Sequence, residues 1–178
     1  MHKIAGWLVL GIFLLFQGCQ SLPPIHTVER VDLERFMGRW YVIASIPTFL
    51  ETEAYNGIES YRLAEDGTVE TTFTFNNGGF DGPLKTYRPR GFVRDSRSNA
   101  VWDIQFVWPF TAEYRIIYLD EAYSRTVIGR TKRDYVWVMA REPAIPPEDY
   151  DRILEFIEGQ GYDRGRVQRV PQRPKPES

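Results

Sequence analysis

Between residues 38 and 141 the side chains alternate apolar and polar with the two-residue period of β-strands. The alternation predicts strands over 39–47, 55–63, 68–76, 84–93, 100–108, 113–119, 124–131 and 134–141. Turn-forming residues separate them, among them Glu65-Asp66-Gly67, Asn77-Gly78-Gly79, Asp95 to Asn99 and Lys132-Arg133. Trp40, Val42, Ala44 and Ile46 are expected to share one face. Val69, Thr71, Phe73 and Phe75 form a second such row, and Trp102, Ile104 and Phe106 a third, opposed by Asp103 and Gln105. Eight antiparallel strands with short links and one apolar face each predict an all-β fold, an up-and-down barrel that leaves no open edge.

Either end of this run departs from strand character. Asp32 can cap a helical turn over 33–36 that delivers the chain into the first strand. Beyond Arg141, Pro146-Pro147-Glu148-Asp149 starts a helix with Tyr150, Ile153, Leu154 and Ile157 on one stripe, stopped by Gly159-Gln160-Gly161. This single helix is expected to flank the barrel, seated partly on Val136 and Val138. Residues 166–170 could add a short strand, and 171–178 read as a loose tail.

The N-terminus reads as a processing segment. Met1-His2-Lys3 is followed by charge-free residues 4–16, shorter than the roughly 20 apolar residues of a membrane-spanning helix, so 1–18 is expected to be a signal peptide. Cys19 is the only cysteine, which rules out an intramolecular disulfide. Phe16-Gln17-Gly18-Cys19 resembles the bacterial lipoprotein cleavage site, with Phe16 and Gln17 departing from the usual Leu and small residue. That resemblance implies diacylglycerol on the Cys19 sulfur and an amino terminus acylated, as with palmitate. Gln20, in place of an aspartate that would favour the inner membrane, implies the outer membrane facing the periplasm. Residues 19–30 would then be a tether and 31–170 the folded domain, with the C-terminal helix included.

Gly38, Trp40 and Tyr41 open the first strand, Asp120 and Tyr123 follow the sixth, and Arg141 ends the eighth. Trp40 can plug one end of a barrel, and a guanidinium on its face gains about 0.5–2 kcal/mol while donating to nearby carbonyls. Asp120 suits the capping of a turn, over which Tyr123 would pack. The order and spacing of these residues, with the trailing helix and the segment from Asp134 to Pro143, resemble the lipocalin family and its bacterial outer-membrane lipoprotein branch. The resemblance covers the mature chain and implies a carrier of amphiphilic lipids such as fatty acids or lysophospholipids. It implies structural roles for Gly38, Trp40, Tyr41, Asp120, Tyr123 and Arg141.

The rest of the inward face supplies the candidate ligand-binding residues: Phe73, Phe75, Trp102, Ile104, Phe106, Tyr114, Ile116, Trp137 and Met139. Eight-stranded barrels stand at the border between a solid interior and one that holds a small ligand. A solid barrel acting through its surface is therefore the alternative. An acyl chain of about 15 methylenes would gain about 12 kcal/mol gross on burial, enough to bind after several kcal/mol of ordering cost. Arg88 and Arg90 could meet a phosphate near the mouth, although two solvated arginines beside Pro89 are the simpler expectation.

A net charge of −2 without a basic face disfavours nucleic acid as a partner. The two histidines, His2 and His26, lie in the signal and the tether, so no histidine-assisted nucleophile, haem ligand or metal cluster can be assembled inside the barrel. Binding without catalysis, with neither cofactor nor metal, is the expected activity. Whether the domain acts alone or as a homodimer is left open by the pattern.

Overall fold

A computed structural model describes residues 24–174. Cys19, the expected signal peptide and residues 175–178 lie outside the described residues. The described chain forms one antiparallel sheet of β1 (Gly38–Ile46), β2 (Ala54–Leu63), β3 (Val69–Asn77), β4 (Leu84–Tyr87), β5 (Arg90–Val93), β6 (Val101–Val107), β7 (Phe110–Leu119), β8 (Arg125–Gly129), β9 (Val136–Ala140) and β10 (Gln168–Arg169). Consecutive strands pair in order, and β1 also pairs with β9, from Tyr41 opposite Ala140 to Ile46 opposite Val136. The sheet therefore closes into the expected eight-staved barrel.

The fourth stave is two pieces. Pro89 has no N–H to give to a ladder, so β4 and β5 are separate strands that both pair with β3, and the Pro89 carbonyl accepts from the Thr71 N–H at 3.2 Å. Arg88 and Arg90 point outward and are exposed, Arg90 lying 3.6 Å from Asp66. The next hairpin is tighter than the pattern predicts. β7 begins at Phe110, three residues early, because Val107 pairs with Phe110 across Trp108-Pro109.

One predicted face is corrected. Trp40 and Val42 point into the barrel, but Ala44 and Ile46 belong to the outer apolar layer together with Ile43. The register with β9 shifts between Val42 and Ala44, so Ile43 is a bulged residue that reverses the phase of everything after it. A matching shift between Ile116 and Tyr118 places Ile116 inside and Ile117 outside. The bulges let these strands line the barrel at one end and seat a helix at the other.

That helix, α2 (Pro147–Gly159), starts with Pro at its first turn and buries Tyr150, Ile153, Leu154 and Ile157, as its stripe predicts. They pack on Ile43, Ala44, Ile46, Val127, Val136 and Val138. Arg125 pairs with Asp149 at 2.6 Å, and the Arg169 guanidinium lies 3.7 Å from the Tyr150 ring centroid.

Both expected ends are shorter than predicted. Ile25 is buried in the helix-side layer and the Val28 N–H donates to Ile116 O at 3.0 Å, so the stretch from Ile25 to Arg30 lies on the barrel instead of serving as free tether. After β10, Gln172 Nε2 donates to Val42 O at 2.7 Å and Gly57 O at 3.0 Å, and Arg173 pairs with Asp81. Residues 171–173 are therefore a strap across β1 and β2, because their polar groups find backbone partners there.

Candidate functional site

One end of the barrel is shut. Asp32 Oδ1 accepts from the Arg35 N–H at 3.2 Å and starts α1 (Leu33–Phe36), which drops Phe36 into the barrel beside Trp40. Gly38 takes a φ of +90°, open to glycine without a Cβ penalty, as the chain turns into β1. The Arg141 guanidinium sits 3.7 Å from the Trp40 ring centroid. It donates to Arg39 O at 2.8 Å, Arg35 O at 2.8 Å, Phe36 O at 3.1 Å and Tyr123 O at 3.2 Å. One cation thus satisfies carbonyls from α1, β1 and the β7–β8 turn. In that turn Asp120 Oδ1 accepts from the N–H groups of Ser124 at 2.6 Å and Arg125 at 3.1 Å, while the Tyr123 hydroxyl accepts from the Asp32 N–H at 2.9 Å. Tyr41 packs at the margin of the helix-side layer.

Above this plug the interior is packed first and hollow beyond. Phe36 and Tyr61 each meet Trp102 edge to face and tilt against one another, and Trp102 stacks on Tyr114 with centroids 5.0 Å apart. The hydroxyls of Tyr61 on β2 and Tyr114 on β7 meet at 2.7 Å across the barrel, forming a bar that floors the space above. That space is a cavity of about 280 Å³, open at the end away from Trp40. Small-molecule sites run from roughly 300 to 1,000 Å³, so the cavity suits one slender guest, not a two-chained lipid.

Of the nine candidate binding residues, Phe73, Ile104, Phe106, Tyr114 and Trp137 line the cavity. Phe106 is 50% exposed and stands at the mouth beside Tyr87, because the β6–β7 register shifts after Ile104. Phe75, Trp102, Ile116 and Met139 are corrected: they are fully buried in the packed part of the barrel and contribute no cavity wall. Their periodicity places them inside, but period alone cannot say at what height a barrel stops being filled. Beside the mouth Phe49, Trp108 and Phe110 are 82%, 80% and 76% exposed.

The sequence reading missed two carboxyls. Glu59 extends from β2 onto the cavity floor, where Tyr61 donates to it; the surface it retains faces the cavity. Burial, with Glu51 nearby, pushes the Glu59 carboxyl up to about 8. Glu51, in the β1–β2 loop, is 6% exposed and accepts from the Thr48 N–H at 3.1 Å and Trp137 Nε1 at 3.0 Å. Burial raises it too, against those hydrogen bonds. Burial and the neighbouring Glu59 hold the Tyr114 hydroxyl well above its usual range. Thr71 Oγ1 and Arg130 Nε, both on cavity-lining residues, are buried without a hydrogen-bond partner. Glu59 is in phase with Tyr61 on β2, a signal visible in the alternation, but β2 is too evenly polar for its dry face to be assigned without knowing its pairing with β3.

A closed eight-staved barrel with a plugged end, a flanking helix and an open apolar cavity defines a lipocalin-type carrier of small ligands. The lipocalin-like domain model matches residues 31–172, and the chain belongs to that family. It is 29% identical over 170 residues to temperature-induced lipocalin-1 of Arabidopsis thaliana, covering 85% of each chain. It is 27% identical over 161 residues to the outer membrane lipoprotein Blc of Citrobacter freundii, covering 89% of this chain and 90% of that one. In fold it resembles insecticyanin from the tobacco hornworm Manduca sexta, with a TM-score of 0.66, 13% identity and coverage of 83% and 84% of the two chains.

Proposed function

We propose that this protein is a membrane-tethered carrier of single-chain amphiphilic lipids, such as fatty acids or lysophospholipids, that binds without catalysing. The observation that carries the reading is the cavity itself: about 280 Å³ of space walled by Phe73, Ile104, Phe106 and Trp137 and open at one end. Each methylene that leaves water for such walls contributes about 0.8 kcal/mol, so an apolar chain supplies the affinity and needs few polar contacts. The exposed Phe49, Trp108 and Phe110 give that chain an apolar approach to the mouth. No described residue lining the cavity is a histidine or cysteine, which supports binding without turnover.

Titrating a lysophospholipid into the full-length protein tests the reading through Trp137, the tryptophan on the cavity wall. Saturable change in its emission, lost in Trp137→Phe, is expected; an unresponsive signal with no bound lipid by native mass spectrometry would refute a carrier. Ala112→Trp places an indole in the cavity from β7 and should weaken binding about tenfold or more without unfolding the barrel, read in the same titration.

The tether is part of the same proposal. Cys19 is its attachment point, and the relatives named as outer membrane lipoproteins support the outer membrane; the periplasmic side rests on Gln20 after the cysteine alone. Several buried acyl chains would hold the protein there almost irreversibly. Cys19→Ser should move the protein into the soluble fraction on cell fractionation; retention in the membrane pellet would refute the lipid anchor.

A further inference from the structure

Polar side chains gather on the cavity floor in a way that an acyl chain does not require. On β2 and β3, Tyr61 lies directly opposite Thr71 and Glu59 directly opposite Phe73, all four on the inward face. Thr71 and Glu59 are therefore diagonal neighbours, a separation of about 7–8 Å that one small polar group can bridge. Thr71 is 5% exposed, and its Oγ1 has no hydrogen-bond partner although such atoms are costly to bury unpaired. It is an acceptor waiting beside a carboxyl, within walls of aromatic rings.

We propose that this floor is a recognition site for a primary ammonium group, so that the preferred guest is a single-chain amine whose charged head enters first and rests between Glu59 and Thr71. The proposal rests on the carrier reading and names the head group that the carrier selects. Three features fit an ammonium. Its N–H donors match the Glu59 carboxylate and Thr71 Oγ1; Glu51 adds a second carboxyl close enough to be felt electrostatically at Glu59; and the aromatic residues Tyr61, Tyr114 and Phe73 line the same space. A carboxylate head brings neither N–H donors nor a positive charge to pair with Glu59, so a fatty acid gains nothing from the floor and would leave its head at the mouth.

Other ionisable groups also line the cavity. Glu113 is held by Arg115 at 2.6 Å and Arg130 by Asp134 at 3.2 Å, leaving Glu51 and the phenols of Tyr61, Tyr114, Tyr87 and Tyr135 as the groups facing Glu59 from the remaining walls. At neutral pH the empty site holds Glu59 as the neutral acid. Binding of R–NH3+ then converts Glu59–COOH to Glu59–COO⁻, and the proton passes to the buffer while the amine keeps its own three.

Calorimetry on the full-length protein at pH 7, repeated in buffers of different ionisation enthalpy, reads both affinity and protons. Decylamine should bind at least about tenfold more tightly than sodium decanoate and release close to one proton. Decanol, which carries the same chain without charge, should bind with no proton released. In Glu59→Gln, decanol binding should persist while the decylamine preference and the proton release disappear; Thr71→Val should weaken decylamine more than decanol. Equal binding of decylamine and decanoate, or decylamine binding without proton release, would overturn the ammonium site while leaving the carrier standing. Failure of all three to bind would overturn both.

Discussion

Replacing Arg141 with alanine should cost about 3 kcal/mol of stability, read as a fall in the urea midpoint with an unchanged slope. Carbonyls from three segments lose the guanidinium at once, those of Arg35, Arg39 and Tyr123, and that of Phe36, which keeps Trp40 Nε1, while the Trp40 ring loses the cation that covers it. Lysine should recover little. An ammonium is a compact point charge and cannot reach carbonyls on α1, β1 and the β7–β8 turn together while lying flat on an indole. If Arg141→Lys were as stable as the parent, the guanidinium's planar reach would not be what closes this end. The variants should keep their ligand affinity while folded, since the plug is separated from the cavity by the Tyr61–Tyr114 bar.

The second large effect is a dependence of stability on pH that runs against the usual direction for carboxyls. In the folded chain Glu59 keeps its proton to about pH 8, against an ordinary value of 4.5. Between those values the folded state holds one more proton than the unfolded state, so stability falls as pH rises across that window and levels off above it. Glu51, also raised, acts in the same direction. Asp66, Asp95 and Glu113 are held low by hydrogen bonds, so the stability they give is present above their ordinary range and is lost as pH falls through their folded values. The two sets together place the stability maximum at about pH 4.5. Glu59→Gln keeps an acceptor for Tyr61 and removes the charge. It should be about 2–4 kcal/mol more stable than the parent at pH 9 and nearly equal to it at pH 4, measured by denaturant unfolding across the range. A parallel pH profile for the two proteins would show that the Glu59 carboxyl is not confined as described.

The barrel, the flanking helix and the Trp40–Arg141 closure were all legible in the sequence because each depends on local period or on a side chain of unmistakable chemistry. What was not legible depends on register. Ile43 and Ile117 look like ordinary strand residues, yet each is an inserted residue that exchanges inside for outside, and only the pairing with a distant strand reveals it. The same limit hid the height of the cavity. Phe73 and Phe75 have identical patterns, but only Phe73 reaches the hollow, because Phe75 stacks near Tyr87 and packs fully. Glu59 was overlooked for a related reason: a glutamate among Ser60, Arg62 and Glu70 reads as solvated until Phe73 and Tyr61 are known to flank it.

The seam between β1 and β9 joins segments nearly a hundred residues apart in the chain. During synthesis β1 emerges early and must wait for β9, so one of its edges and the Trp40 indole stay uncovered until Arg141 has been made. Any product terminated before residue 136 would therefore carry a bare strand edge together with an apolar sheet face, and would be a seed for aggregation and not merely an inactive fragment.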